Sequence, residues 1–183
     1  MKRGFFTIMS AQFFSSLADN ALFVGAVQLL RTSGAPEWQQ AALVPMFALF
    51  YVVLAPFVGA FADAMPKGRV MFISNGIKIV GCLMMLFGHH PLVAYAVVGL
   101  GAAAYSPAKY GILTELLPAS QLVKANGWIE GLTIGSIILG VLLGGQLLGP
   151  HLSPHLLALD LPGVQTGIDT APEAAIAVIV GLY

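Results

Sequence analysis

The sequence predicts an all-α membrane protein whose chain crosses the bilayer several times. Of its 183 residues, 58% are apolar and only 9% are charged, and the mean hydropathy is +0.88. Soluble domains carry roughly 25% charged residues, so eight basic and eight acidic side chains are too few for the surface of a soluble protein of this size. The apolar residues also fall in long segments separated by short polar breaks, which is typical of spanning helices.

Six helices are expected, each ending where the sequence turns polar or brings a proline. They cover about residues 5–30, 40–62, 70–88, 92–117, 126–149 and 173–183. The breaks between them lie at residues 31–39, 63–69, 89–91, 118–125 and 150–172. The first segment is too long for a signal peptide and has no evident cleavage site, so it is interpreted as a mature helix.

The sixth segment is shorter than a membrane span. It runs for about 11 residues to Tyr183, which corresponds to about 16 Å of a hydrocarbon core roughly 30 Å thick. We therefore expect residues 1–183 to form the N-terminal six-helix bundle of a longer protein, with the sixth helix truncated and a C-terminal half absent.

Charge and motif content exclude several classes of function. Equal numbers of basic and acidic residues leave no basic field for a nucleic-acid partner. The single cysteine, Cys82, excludes a disulfide framework and a zinc cluster. Adjacent His89 and His90 do not share a helix face, and no nucleophile or phosphate-binding motif is present. We expect neither an enzyme nor a metal or other cofactor.

The loop charges predict the orientation of the chain. Five basic residues fall in segments that share one side of the membrane if the helices alternate, whereas only Arg31 falls on the other side. The five are Lys2, Arg3, Lys67, Arg69 and Lys124. Because basic residues accumulate in cytoplasmic loops, the N-terminus is predicted to be cytoplasmic.

The first helix carries a polar stripe at the depth of the membrane centre. Gln12, Ser15, Ser16 and Asp19 recur at helical spacing, and Asn20 lies on the neighbouring face. Charged groups inside a span usually face the bundle interior or a water-filled cavity, so the stripe predicts a substrate-binding wall. The alternative is a neutral, hydrogen-bonded aspartic acid that only joins two helices.

The fourth helix places a lysine next to a proline. Pro107 removes a backbone donor and can kink the helix, and Lys109 follows two residues later, on the same face as Tyr105. A lysine flanked by tyrosines on a kinked helix indicates a site for an anionic head group. The alternative is that Lys109 extends to the membrane interface.

Two further charges lie in the remaining helices. Glu130 is about one turn into the fifth predicted helix, where it could face Lys109, and the sequence leaves open whether such a pair is structural or gating. Lys78 shares a face with Ser74 and Cys82, and a structural role is favoured over substrate contact.

The connection between the second and third helices resembles a transporter signature. Residues 59–69 read GAFADAMPKGR, similar to the loop motif of the major facilitator superfamily, although Ala64 replaces its first basic residue. Asp63 can pair there with Lys67 or Arg69 and latch the inner face of the bundle.

Longer stretches resemble the bacterial lysophospholipid transporter (LplT) family of that superfamily. They comprise residues 11–22, 67–71, 75–78, 101–113 and 124–127 together with Glu130. The most distinctive is YSPAKYG at residues 105–111. The resemblance implies a twelve-helix carrier in which helices one and four line the central cavity, so that Asp19 and Lys109 reach it and Lys78 sits on a more peripheral helix.

The resemblance also implies a substrate and partners. The family moves lysophosphatidylethanolamine and lysophosphatidylglycerol to the inner leaflet of the bacterial inner membrane for reacylation. The implied partners are the lysophospholipid, membrane lipid, the C-terminal half of the carrier and an acyltransferase or acyl-ligase. Lys109 would then pair with the substrate phosphate. Asp19 would accept a hydrogen bond from the head group or hold a basic residue.

Three other interpretations compete with lysophospholipid transport. One is a proton-coupled carrier of a drug, sugar or other small solute, with Asp19 as its proton site. Another is a non-transporting truncated fragment. A membrane enzyme is disfavoured, because the sequence offers no nucleophile and base pair.

Overall fold

The computed structural model describes residues 3–158 and 168–183, and these ranges hold eight helices and no strand. The helices are α1 (Arg3–Thr32), α2 (Glu37–Val53), α3 (Ala55–Asp63), α4 (Lys67–Leu86), α5 (Pro91–Leu116), α6 (Ala119–Leu148), α7 (Ser153–Leu157) and α8 (Ala171–Val180). The predicted all-α polytopic fold is confirmed. Lys2, which contributes to the predicted orientation, lies outside the described residues, as does the central part of the 150–172 connection.

Four helices are long and apolar enough to cross a membrane, namely α1, α4, α5 and α6. A fifth candidate span consists of α2 and α3 together, bent by 63° at their junction. The prediction of one continuous helix over residues 40–62 is therefore wrong, because the helix is broken between Val53 and Ala55. Pro56 lies in the first turn of α3, where its missing N–H and its restriction on the preceding residue interrupt a continuous helix.

The start of α6 also differs from the prediction. The helix begins at Ala119, directly after Pro118, instead of near residue 126. Polar residues such as Gln121 and Lys124 make this turn resemble a loop in the sequence. A proline immediately before a helix costs no hydrogen bond, since the first N–H groups of a helix have no intrahelical partner.

The helices approach closely where one of them carries glycine. A β-carbon at Gly140 of α6 would lie 2.5 Å from the Leu17 carbonyl oxygen of α1, and one at Gly99 of α5 would clash with the Phe47 carbonyl oxygen of α2. A β-carbon at Gly101 would meet the backbone of α4 at the Ser74 carbonyl oxygen, 2.6 Å away. Small residues at such crossings let backbones pack together inside a membrane.

Apolar clusters lie towards both ends of α1. Phe5 and Met9 pack with Leu113 and Ile129 at its beginning, whereas its second half packs against α4, α5 and α8. Between these ends, residues 12–20 carry the polar stripe. The fold thus places the stripe in the middle of the bundle, where a central cavity opens.

Candidate functional site

The central cavity has a volume of about 470 Å³ and takes its walls from α1, α2, α4, α5 and α6. Its polar lining residues are Gln12, Ser15, Ser16, Asp19, Asn20, Lys78, Tyr105, Ser106, Lys109 and Thr133. Its apolar and aromatic lining residues are Phe23, Val44, Phe47, Tyr51, Tyr95, Ala102 and Ile137. This volume is in the range typical of small-molecule sites, roughly 300–1,000 Å³.

All five residues predicted to bind substrate line this one cavity: Gln12, Asp19, Asn20, Tyr105 and Lys109. The first three come from α1 and the other two from α5. Gln12 and Lys109 are buried, with exposed fractions of 5% and 8%. The structure therefore brings together side chains that are about 90 residues apart in the sequence.

Asp19 is the centre of a closed hydrogen-bond network. Its Oδ2 accepts from Lys78 Nζ at 2.7 Å, and its Oδ1 accepts from the Tyr183 hydroxyl at 2.7 Å. Lys78 Nζ also donates to Ser15 Oγ at 3.0 Å, and Ser15 Oγ donates to Asn75 Oδ1 at 2.9 Å. Both carboxylate oxygens and the ammonium thus have protein partners.

The position expected for Lys78 is wrong. Its helix does not keep it at the periphery, because the side chain passes over Gly101 of α5, where an added β-carbon would lie 2.7 Å from Lys78 Cγ. Only 2% of Lys78 is exposed. The sequence held a signal for this pair: Asp19 and Lys78 have opposite charges at membrane depth, and a buried charge is costly unless it is paired.

Lys109 is in a different situation. Its Nζ lies 4.6 Å from the centroid of the Tyr110 ring, and within the described residues no carboxylate forms an ion pair with it. The hydroxyl of Tyr105, one turn earlier on α5, is buried and has no hydrogen-bond partner in the same part of the chain. An unpaired cation and a free hydroxyl on one helix can bind an anionic oxygen.

The ion pair considered between Glu130 and Lys109 is not formed. Glu130 Oε1 instead accepts from the Tyr110 hydroxyl at 2.7 Å. The ring of Tyr110 forms a cation–π contact with the adjacent Lys109, and the Tyr110 hydroxyl donates its hydrogen bond to the Glu130 carboxylate. Elsewhere in the cavity lining, Gln12 Nε2 donates to Thr133 Oγ1 at 3.4 Å, which links α1 to α6.

The charges of the α3–α4 connection lie away from the cavity. Lys67 forms an ion pair with Asp63 and also donates to the Ala62 carbonyl oxygen at 2.9 Å. The stem of Lys67 packs on α5, where an added β-carbon at Gly111 would lie 3.0 Å from Cε. Arg69 is exposed. Of the two pairs considered for Asp63, the structure has the one with Lys67.

An aromatic wall of the cavity was not identified residue by residue from the sequence. The ring centroids of Phe47 and Tyr95 are 5.1 Å apart, those of Phe23 and Tyr95 are 6.1 Å apart, and those of Phe47 and Tyr51 are 6.2 Å apart. Apolar side chains on a spanning helix face lipid as readily as a cavity, so the pattern alone does not select these four.

A polar cavity enclosed by membrane-spanning helices is the architecture of a membrane transporter. Residues 8–159 match the model of the Major Facilitator Superfamily, and the chain belongs to this superfamily. Membership in a superfamily of transporters confirms the expectation that the chain is not an enzyme.

The chain is also similar to curated transporters from Yersinia. It is 51% identical over 140 residues to "Lysophospholipid transporter LplT" of Yersinia enterocolitica, an alignment that covers 76% of this chain and 35% of the relative. It is 49% identical over 140 residues to the proteins of the same name from Yersinia pestis (strain Pestoides F) and Yersinia pseudotuberculosis, covering 76% of this chain and 34% of each. These matches confirm the resemblance noted in the motifs. The aligned part of the chain spans about a third of the length of these relatives.

Proposed function

We propose that the protein is the N-terminal part of a lysophospholipid transporter. Its substrates would be lysophosphatidylethanolamine and lysophosphatidylglycerol, delivered to the inner leaflet of the bacterial inner membrane. An acyltransferase or acyl-ligase partner would reacylate them there. The observation that carries the proposal is that Lys109 is buried without an ion-pair partner among the described residues, in a cavity that also has an aromatic wall.

The phosphodiester of the substrate binds at Lys109. The ammonium acts as a point charge on the phosphate, and the Tyr105 hydroxyl donates a second hydrogen bond to a phosphate oxygen. Both groups come from α5 and lack other hydrogen-bond or ion-pair partners among the described residues. The phosphate is common to all lysophospholipids, so this contact binds the class and does not select the head group.

Asp19 contributes by holding Lys78 in place. The two charges compensate each other, which leaves the positive charge of Lys109 unbalanced within the cavity and favours an anionic ligand. The remainder of the head group meets Gln12 and Asn20. The Asn20 amide N–H₂ donates to the Ser16 carbonyl oxygen at 2.8 Å, so its own oxygen is available to accept from an ammonium or a hydroxyl.

The acyl chain lies along the aromatic wall of Phe23, Phe47, Tyr51 and Tyr95. Contact between the chain and these rings keeps apolar surface away from water. A cavity with a buried cation and an aromatic wall therefore matches an amphiphile with one phosphate and one chain.

The proposed topology has the N-terminus in the cytoplasm. The 63–69 and 118–125 segments share that side, and the 31–39, 89–91 and 150–172 segments face the periplasm. Residues 1–183 then form the N-terminal bundle of a two-half carrier, which alternates access by moving against a C-terminal half. The Asp63–Lys67 pair holds the cytoplasmic end of this bundle, and Arg69 adds a further charge there.

Transport into spheroplasts tests the proposal. Cells that produce the intact protein should accumulate labelled lysophosphatidylglycerol and lysophosphatidylethanolamine in the inner leaflet, and cells that lack it should not. The rival carrier of small solutes is tested in parallel with a labelled sugar and a cationic drug under an imposed proton gradient. Proton-dependent uptake of a soluble substrate without lysolipid movement would contradict the proposal.

A further inference from the structure

A second groove lies between the first halves of α1 and α6 and has a volume of about 510 Å³. Its walls are mostly aromatic and apolar, and Phe6 and Trp128 are 59% and 54% exposed. Ser10 and Lys124 are its only polar lining residues among those described. None of the residues that line it lines the central cavity. The groove is therefore a separate feature that opens to the outside of the bundle.

The length of the groove corresponds to one leaflet of a bilayer. It follows residues 5–14 of α1 and residues 124–132 of α6, which at 1.5 Å per residue is about 14 Å along α1 and about 12 Å along α6. The hydrocarbon of one leaflet is about 15 Å thick, half of the full core. A single acyl chain from one leaflet fits this length.

The charge of the groove lies at its outer end. Lys124 is in the second turn of α6 and Trp128 is one turn deeper, while Leu132 closes the far end. Lys124 is exposed and forms no ion pair within residues 3–158 and 168–183. Tryptophan and lysine near the end of a spanning helix are typical of the head-group region. A lysine there attracts anionic lipid by about 1 kcal/mol.

We infer that this groove binds one anionic glycerophospholipid, with the lipid phosphate on Lys124 and one acyl chain along Phe6, Phe13 and Trp128. The occupant is a resident lipid of the surrounding bilayer and not the transported molecule, because the groove shares no lining residue with the central cavity. The inference needs α1 and α6 to span the membrane and the groove to stay open to lipid in the intact protein, so it stands or falls separately from the proposed function. If the N-terminus is cytoplasmic, the lipid belongs to the cytoplasmic leaflet.

Native mass spectrometry of the intact protein tests the site. Phosphatidylglycerol and phosphatidylcholine are titrated separately onto delipidated protein in detergent. Wild-type protein should retain the first phosphatidylglycerol more tightly than phosphatidylcholine. In Lys124→Ala the affinity for phosphatidylglycerol should fall about fivefold. Arg69→Ala is the matched control, since it removes an exposed cation outside the groove and should leave the affinity unchanged.

A second variant tests the groove itself. Ser10→Trp fills the groove while keeping Lys124, and Ser10 is exposed, so the fold should tolerate the larger side chain. Binding of phosphatidylglycerol should weaken at least as much as in Lys124→Ala. Wild-type affinity in either variant, including the case where another segment of the intact protein covers the groove, would overturn the inference. So would loss of lysophosphatidylglycerol transport in Lys124→Ala as severe as in Lys109→Ala, because that would make the groove part of the substrate path.

Discussion

The two lysines of the central cavity are buried to a similar degree but have different surroundings. Lys78 donates to Asp19 and Ser15, and Asp19 receives a further hydrogen bond from Tyr183. Within the described residues, Lys109 contacts the face of the Tyr110 ring and forms no ion pair, and the Tyr105 hydroxyl, one turn earlier on α5, has no hydrogen-bond partner. We call the hydrogen-bonded network of Asp19, Lys78, Ser15 and Tyr183 the closed region, and Lys109 with Tyr105 the open region.

This difference separates structural charge from charge that is available to a ligand. A buried ion pair with complete hydrogen bonding gains nothing from a further partner, and breaking it leaves an uncompensated charge. A buried cation without a carboxylate has already lost its water and gains strongly when an anion arrives. We therefore propose stability and positioning as the role of the Asp19 network, and ligand binding as the role of Lys109 and Tyr105.

The largest effect is expected from breaking the closed region. Asp19→Asn leaves Lys78 without its counter-charge and should destabilise the intact protein by about 3–5 kcal/mol, with loss of transport as a consequence. The measurement is thermal unfolding in detergent, together with membrane content. The double variant Asp19→Asn/Lys78→Met should recover much of the stability, since it removes both charges. A double variant as unstable as the single one would show that the pair is not the cause.

Lys109→Ala should instead reduce transport without loss of stability. Removing the cation deletes the phosphate contact, worth about 1.5–3 kcal/mol for a charged hydrogen bond, so lysolipid transport should fall at least about tenfold. Both lysophosphatidylethanolamine and lysophosphatidylglycerol should be affected, because they share the phosphate. Arg31→Ala, which removes an exposed cation outside the cavity, provides a control for loss of a cation elsewhere. Transport at the wild-type level in Lys109→Ala would place the substrate phosphate elsewhere.

The same Tyr→Phe change in each of the two regions compares them directly. Tyr105→Phe removes a hydroxyl that has no hydrogen-bond partner among the described residues. Transport should fall about fivefold, corresponding to about 1 kcal/mol for one hydrogen bond, while the free energy of unfolding stays unchanged. Tyr183→Phe removes a donor to Asp19 and should lower the unfolding free energy by about 1 kcal/mol. The reverse outcome, a stability loss in Tyr105→Phe only, would exchange the roles of the two regions.

The smallest effect on stability is expected at the Asp63–Lys67 pair, whose carboxylate is exposed to solvent. Asp63→Asn should change the unfolding free energy by less than about 1 kcal/mol, as for most surface ion pairs. Because the pair joins the α3–α4 connection to α5 and lies outside the cavity, turnover should slow while lysolipid binding is retained. Binding and transport are measured on the same preparation. Lost binding with normal turnover of the remaining bound substrate would contradict a latch.

The sequence was sufficient for the class of fold and for the wall that α1 presents to the cavity. Polar and charged residues along one face of an apolar helix must face a cavity or another helix. The positions of Gln12, Asp19 and Asn20 at the cavity were therefore predictable, as was that of Lys109, two residues after Pro107. The membrane class followed from the scarcity of charge. These features depend on local spacing and on the cost of burying polar groups, which a single helix already displays.

Contacts between helices were not predictable to the same extent. The Asp19–Lys78 pair depends on how closely α4 approaches α5 at Gly101, and the Tyr110–Glu130 bond depends on the relative rotation of α5 and α6. The bend between α2 and α3 had a local signal in Pro56, but proline also occurs inside α2 without ending it, at Pro45. Helix rotation and separation are set by packing of the whole bundle, which spacing along one helix does not determine.

Ligand-induced stabilisation tests most directly whether Lys109 binds the substrate phosphate. The unfolding temperature of the intact protein is measured with lysophosphatidylglycerol and with a monoacylglycerol of the same chain, which lacks the phosphate. Lysophosphatidylglycerol should raise the unfolding temperature of the wild type and of Tyr183→Phe more than the monoacylglycerol does. In Lys109→Ala the two compounds should give the same small rise, which comes from the acyl chain alone. Equal stabilisation of the wild type by both compounds, or an undiminished response to lysophosphatidylglycerol in Lys109→Ala, would contradict the assignment of the open region to phosphate binding.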